Sequence, residues 1–287
     1  MFVMRNTIRL LIACPDARGI VAAVTTFIAD QGGNLLDADQ HTDLDHNEFF
    51  MRVAIARDGF ALTPDTFAAA WQPMARRFAM QWSIHWGQPV KRLAILVSQQ
   101  GHCLSDLLWR WKSGELDVEI PLVISNHSGL GDIARDAGVP FEVRPVTPET
   151  KAAQERDVLE LLAAARVDLV VLARYMQILS PEFVRRYPHR IINIHHSFLP
   201  AFAGGAPYRQ AYERGVKMIG ATSHYVTERL DAGPIIAQAT AGTSHRDTVG
   251  DLIRKGRDLE RMVLAHAVRL HVEDRILVSQ NKTVVFE

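Results

Sequence analysis

Apolar and polar positions follow two different patterns along the chain. The run TIRLLIACP (7–15) is rich in apolar and β-branched residues and predicts a strand, broken by Pro15, Asp16 and Gly19. Ile20, Val21, Val24, Phe27 and Ile28 then recur at helical spacing, and Gly32-Gly33 stops that helix. Residues 34–41 and 48–56 predict two more strands. Thr63 before Pro64-Asp65 opens a helix through about Phe78, and 81–86 predicts a fourth strand. The order βαββαβ predicts a ferredoxin-like unit over residues 1–86.

The pattern changes after Gly87-Gln88-Pro89, and residues 87–92 read as a linker. Short apolar runs at 91–98, 119–126, 168–174 and 190–197 alternate with helical stretches near 103–113, 129–138, 149–165 and 181–187. Such alternation predicts an α/β domain over 93–287, with a Rossmann-like, mostly parallel sheet covered on both faces. Sheets of this kind place their sites at the carboxyl ends of strands. Leu259, Met262, Val263, Ala267 and Leu270 predict a late helix, and 275–286 a hairpin around Asn281-Lys282.

Charge narrows the function classes. The 287 residues carry 32 basic and 32 acidic side chains, a balance that disfavours a general nucleic-acid partner. No run approaches the ~20 apolar residues of a membrane span, and no membrane association is expected. The opening segment lacks a signal-peptide core, and the two cysteines, Cys14 and Cys103, fit a reducing compartment, so a cytoplasmic location is expected. Two cysteines also exclude a four-cysteine zinc site, and no histidine–carboxylate pattern at helical spacing points to a metal. At a predicted helix start the Cys103 thiol is exposed to a lowering influence, but a small packed side chain is the expected role. The five tryptophans, Trp71, Trp82, Trp86, Trp109 and Trp111, read as packing or interface residues.

The densest chemistry lies in 191–238. Asn193 and His195 are two apart on a predicted strand and share a face, at the strand's carboxyl end; alternation places His196 on the opposite face. Asp231 falls in the turn Leu230-Asp231-Ala232-Gly233-Pro234. An amide, an imidazole and a carboxylate suit acyl chemistry: the amide stabilises an oxyanion, the imidazole moves protons near neutral pH, and the carboxylate orients it.

These motifs carry a resemblance. Asn193-Ile194-His195-His196-Ser197-Phe198-Leu199-Pro200 and Leu230-Asp231-Ala232-Gly233-Pro234 resemble the signature of the folate-dependent formyltransferase family. LARYMQILSPEFV (172–184), SQQGHCLSDLL (98–108), QAYERGVK (210–217) and IGATSHYV (219–226) extend the likeness over most of 90–287, toward the hydrolytic members. CPDARGIVAAVTTFIADQGGNLLDADQH (14–41) resembles an ACT domain, the partner expected in those members.

The resemblance implies hydrolysis of 10-formyltetrahydrofolate to formate and tetrahydrofolate, with no separate cofactor, in the supply of formate for purine synthesis and the balance of one-carbon folate pools. It implies Asn193, His195 and Asp231 as catalytic residues. Arg174, Tyr175, Met176, His224, Thr227 and Leu230 are implied at the folate site. In the ACT-like unit, Asp16, Arg18, Gly19 and Asn34 occupy positions resembling amino-acid-contacting loops, with glycine or methionine as effector. Gly19 and Asn34 equally suit plain turn and strand-start roles. A homo-oligomer formed through the ACT-like unit is expected. Two departures, Ala206 and Arg209, fall near the cleft loop and bear on its shape.

Two alternatives stay open. Formyl transfer to an amine such as glycinamide ribonucleotide calls for a small-residue phosphate loop after the first strand of the second domain, and Ser98-Gln99-Gln100-Gly101-His102-Cys103 has one glycine there. A non-catalytic amino-acid and folate sensor is the other; the intact Asn193, His195 and Asp231 argue against it.

Overall fold

The computed structural model describes residues 6–87, 89–200 and 207–287. The chain forms two compact units. In the first, β1 (Thr7–Pro15), α1 (Ile20–Asp30), β2 (Leu35–Asp43), β3 (Glu48–Ala56), α2 (Pro64–Arg77) and β4 (Gln81–His85) follow the predicted order. The sheet order is β2-β3-β1-β4, antiparallel throughout. Ile8, Leu10 and Ile12 alternate inward from β1 and meet Val24 and Ile28 of α1 and Phe67 and Trp71 of α2. Trp71 is fully buried, its ring 5.1 Å from Phe27 and 5.6 Å from Phe67. Trp82 and Trp86 pack on the same cluster, as their packing role anticipates. Thr63 starts α2, its backbone N–H donating to Thr66 Oγ1 at 2.9 Å.

The second unit contains β5 (Arg92–Val97), α3 (His102–Ser113), β6 (Glu119–Ser125), α4 (Gly131–Ala137), β7 (Phe141–Val143), α5 (Lys151–Ala164) and β8 (Leu169–Leu172). After these come α6 (Pro181–Arg186), β9 (Ile191–His195), α7 (Pro207–Arg214), β10 (Met218–Tyr225), β11 (Ile235–Gly242) and α8 (Val249–Val272). Its sheet runs β11-β10-β9-β8-β5-β6-β7. The strands from β5 to β9 pair in parallel, while β10 and β11 join antiparallel at one edge. One face packs Ala94, Leu96 and Val170 against Val158, Leu162 and Phe183. Helix α8 packs on β9, β10, β11 and α3.

Three differences from the sequence reading matter. First, β7, β10 and β11 are elements the apolar runs do not announce: β7 has three residues, MIGATSHY is mostly small and polar, and IIAQATAG alternates small and polar side chains. Second, β8 ends at Leu172, so Arg174 and Tyr175 lie beyond the strand. Third, the terminal hairpin, β12 (Ile276–Ser279) and β13 (Lys282–Val285), turns at Gln280-Asn281. Residues 273–279 and 283–287 cluster with the first unit and not with 93–287. A buried pair explains this: Arg9 Nη1 donates to Asp274 Oδ2 at 3.0 Å, and Arg52 Nε donates to the Asp274 carbonyl at 2.8 Å. No helix among the described residues is long and apolar enough to cross a membrane.

Candidate active site

The site forms where β8 and β9 end. Asn193 and His195 share a face of β9, and the antiparallel register sets His224 of β10 opposite Asn193 and Thr222 opposite His195. Thr222 ties down the chain leaving β9: its Oγ1 donates to the Ser197 carbonyl at 2.9 Å and accepts from the Leu199 N–H at 3.0 Å. Asn193, His195, His224, Thr227, Leu230 and Asp231 line one cavity of about 240 Å³, together with Arg174, Tyr175 and Met176. The structure thus brings together all nine residues assigned to the reaction and folate site.

The turn after β10 delivers the carboxylate. Asp231 sits in the left-handed region at φ 50, which aspartate tolerates better than most residues. Two residues on, a Cβ at Gly233 would meet the Tyr225 carbonyl oxygen at 1.8 Å, so only glycine allows the turn to close. Asp231 Oδ2 lies 3.3 Å from His195 Nδ1, and Oδ1 lies 3.6 Å from His224 Nε2. Contact with His195, then with His224, holds the Asp231 carboxyl far below the ordinary carboxylate range, against the upward push of partial burial.

His224 also orients the amide. Its Nδ1 lies 2.9 Å from the Tyr225 carbonyl, which can only accept, so Nδ1 carries the proton. Nε2 lies 3.2 Å from Asn193 Nδ2. His195 is 6% exposed, and its Nε2 has no partner among the described residues. With Nδ1 facing Asp231, Nε2 is the ring atom left for a ligand.

His196 departs from the alternation argument. Strand β9 ends at His195, so the pleat does not extend to His196. The two rings stand 5.3 Å apart and both line the cavity. Burial, and then the Arg174 charge, push the His196 imidazole down to about 4, so it is neutral at pH 7.

The assigned folate-site residues differ in availability. Met176 and Leu230 are exposed apolar side chains. The Tyr175 ring belongs to the core, and its hydroxyl accepts from Gln154 Nε2 at 3.1 Å. Arg174 is buried, at φ 64. Sequence reading missed Gln100, His102, Tyr208 and Glu260, which surround Arg174. Arg174 Nη2 donates to Gln100 Oε1 at 3.2 Å, while Tyr208 Oη and His102 Nε2 reach Glu260 at 2.6 and 2.8 Å. The available signal was Glu260 itself, an acid one residue from Leu259 on the apolar face of α8. Burial works to raise the Glu260 carboxyl, but His102, Arg174 and Tyr208 together hold it below its ordinary value.

His102, Cys103 and Glu260 bring three potential metal-donor side chains together. Burial and the Glu260 charge push the Cys103 thiol strongly up, opposite to the helix-start influence and in keeping with a packed side chain. Of the departures, Arg209 lies on α7 and is exposed; Ala206 is outside the described residues. In the first unit, Asp16, Arg18, Gly19 and Asn34 are all exposed, and Gly19 precedes α1 at φ 89.

Comparison with known proteins fits this geometry. A family profile described as Formyl transferase matches residues 91–268, and one described as ACT domain matches 8–61. A formyltetrahydrofolate deformylase of Synechocystis sp. is 55% identical, covering 99% of this chain and 100% of its own. The chain belongs to the formyltetrahydrofolate deformylase family. The solved deformylase of Pseudomonas syringae, 50% identical, superimposes with a TM-score of 0.95 and covers 98% of this chain and 94% of its own. A glycinamide ribonucleotide transformylase of Symbiobacterium toebii is 35% identical, with a TM-score of 0.65. It covers 69% of this chain and 95% of its own. The deformylases thus match both units, whereas the transformylase leaves part of the chain unmatched.

A carboxyl whose pKa is lowered by folding adds stability above the ordinary carboxylate range, and that stability is lost as pH falls toward the lowered value. Asp231→Asn is therefore expected to lower the unfolding free energy in urea at pH 7, with the gap to wild type narrowing below about pH 4. Equal gaps at neutral and acid pH would contradict an ionised Asp231 held by its two histidines.

Proposed function

We propose that this chain hydrolyses 10-formyltetrahydrofolate to formate and tetrahydrofolate, using Asn193, His195 and Asp231. Family membership supports the substrate and reaction. The observation that carries the residue assignment is His195: one ring nitrogen faces Asp231, and the other is buried in the cavity wall without a partner among the described residues.

The folate enters the cavity along Met176 and Leu230, with Thr227 and the turn to Asp231 beside it. Water attacks the formyl carbon. Asn193 Nδ2 and protonated His195 Nε2 donate to the developing oxyanion, where fixed donors act most strongly. Asp231 orients the water, assists removal of its proton and stabilises the imidazolium. The carbon–nitrogen bond then breaks as N10 takes a proton from His195, directly or through water. One water oxygen ends in formate, one of its protons ends on the amine, and the other leaves with the solvent. No cofactor or metal enters this reaction.

Water is favoured over an amine acceptor by the loop after β5. Gln100 accepts from Arg174 and His102 contacts Glu260, so these two bulky side chains of Ser98–Cys103 are engaged within the protein. The proposal extends to regulation. Glycine or methionine binds the exposed Asp16, Arg18, Gly19 and Asn34 region, copies pair through the ACT unit, and the protein works in the cytoplasm.

Formate release from 10-formyltetrahydrofolate, with no acceptor added, tests the reaction. Asn193→Ala, His195→Ala and Asp231→Asn are each expected to lower kcat by about 10²–10³. Near-normal kcat in His195→Ala, or folate binding without turnover in the wild type, would overturn the assignment. Titrating glycine and methionine against formate release, with oligomeric state followed by light scattering, tests the regulatory part; no response to either amino acid contradicts it.

A further inference from the structure

Arg174 stands in the wall between two cavities. The second, of about 420 Å³, shares Arg174, Met176 and His196 with the reaction cavity. The guanidinium is held from behind. Its Nη2 donates to Gln100 at 3.2 Å, and its Nε lies 3.5 Å from Glu260 Oε2, beyond good hydrogen-bond length. Glu260 meanwhile takes the shorter contacts from Tyr208 and His102. Arg174 is 7% exposed, yet its Nε and Nη1 make no hydrogen bond among the described residues. Buried donors left unmade are costly, and a hydrogen bond from a guanidinium to a carboxylate is charge-assisted. The left-handed backbone at φ 64 places this side chain where a strand continuing past Leu172 would not.

The reaction supplies such a carboxylate. Hydrolysis turns a neutral formamide into an anion beside Asp231, itself an ionised acid. Among the described residues lining the reaction cavity, Glu228 is a second acid and Arg174 is the one arginine or lysine. The imidazole of His196 is neutral there at pH 7. Beyond Arg174, the second cavity adds Arg209 and Arg257 against one acid, Glu260. Basic side chains therefore outnumber acidic ones on the side away from Asp231.

We propose that Arg174 is the formate subsite of this protein, receiving the product carboxylate from the His195 side and passing it toward the second cavity. The assignment rests on the hydrolytic reading above. Formate binds the free Nη1–H, with Gln100 and Glu260 keeping the guanidinium in place.

Titration of ¹³C-formate into the resting full-length protein, read by NMR, tests this without turnover. Saturable binding is expected for wild type, weakened about tenfold or more in Arg174→Gln, with Arg174→Lys between them. Formate should also inhibit wild-type turnover, with its inhibition constant raised by a similar factor in Arg174→Lys. Native-like circular dichroism qualifies each variant. Undiminished formate affinity in a folded Arg174→Gln or Arg174→Lys overturns the subsite, as does an absence of formate binding to wild type. Failure of the hydrolytic reading shows separately, as a wild type that releases no formate from the folate.

Discussion

The antiparallel pairing of β9 with β10 sets His224 opposite Asn193 and Thr222 opposite His195, and the site depends on that register. A slip by one residue would turn the histidines and the amide to the other face of the sheet. The pairing therefore does two jobs at once. It aligns His224 to hold the Asn193 amide, and it lets Thr222 anchor the chain leaving β9 through Ser197 and Leu199. The turn that follows β10 then returns Asp231 to the two histidines. One edge of an otherwise parallel sheet thus assembles groups that are far apart in sequence.

Electrostatics complete what register begins. Asp231 stays ionised because two imidazoles face it, and an ionised carboxylate can support positive charge on His195. The same surroundings hold His196 neutral, because burial and Arg174 both oppose its proton. On the far side of Arg174, Glu260 is buried but charged, and Tyr208, His102 and Arg174 share it. Such a buried acid is tolerable because both of its oxygens have polar or charged partners.

Much of this was legible in the sequence, for identifiable reasons. The βαββαβ order of the first unit shows in clean periods: Ile8, Leu10 and Ile12 at spacing two, and Ile20, Val24 and Ile28 along a helix. Strand alternation and a turn motif place Asn193, His195 and Asp231, and the resemblance of those motifs to the formyltransferase signature is what implies their roles. The exact end of a strand is less visible. Strand β9 stops at His195, which breaks the alternation assigned to His196, and β8 stops at Leu172, which frees Arg174. Long-range polar pairing is the least visible. Nothing local in the chain connects Glu260 with His102, 158 positions away, or Arg9 with Asp274, 265 positions away. The second of these pairs explains why residues 273–279 and 283–287 cluster with the first unit.

In the proposed reaction, water is the formyl acceptor at the site built on β9, β10 and Asp231. Turnover of 10-formyltetrahydrofolate in H₂¹⁸O, with no amine acceptor and mass analysis of the products, tests it most directly. Formate bearing one ¹⁸O atom, formed in equal amount with tetrahydrofolate, is the expected product. Unlabelled formate, or no formate until an amine acceptor is added, would contradict it.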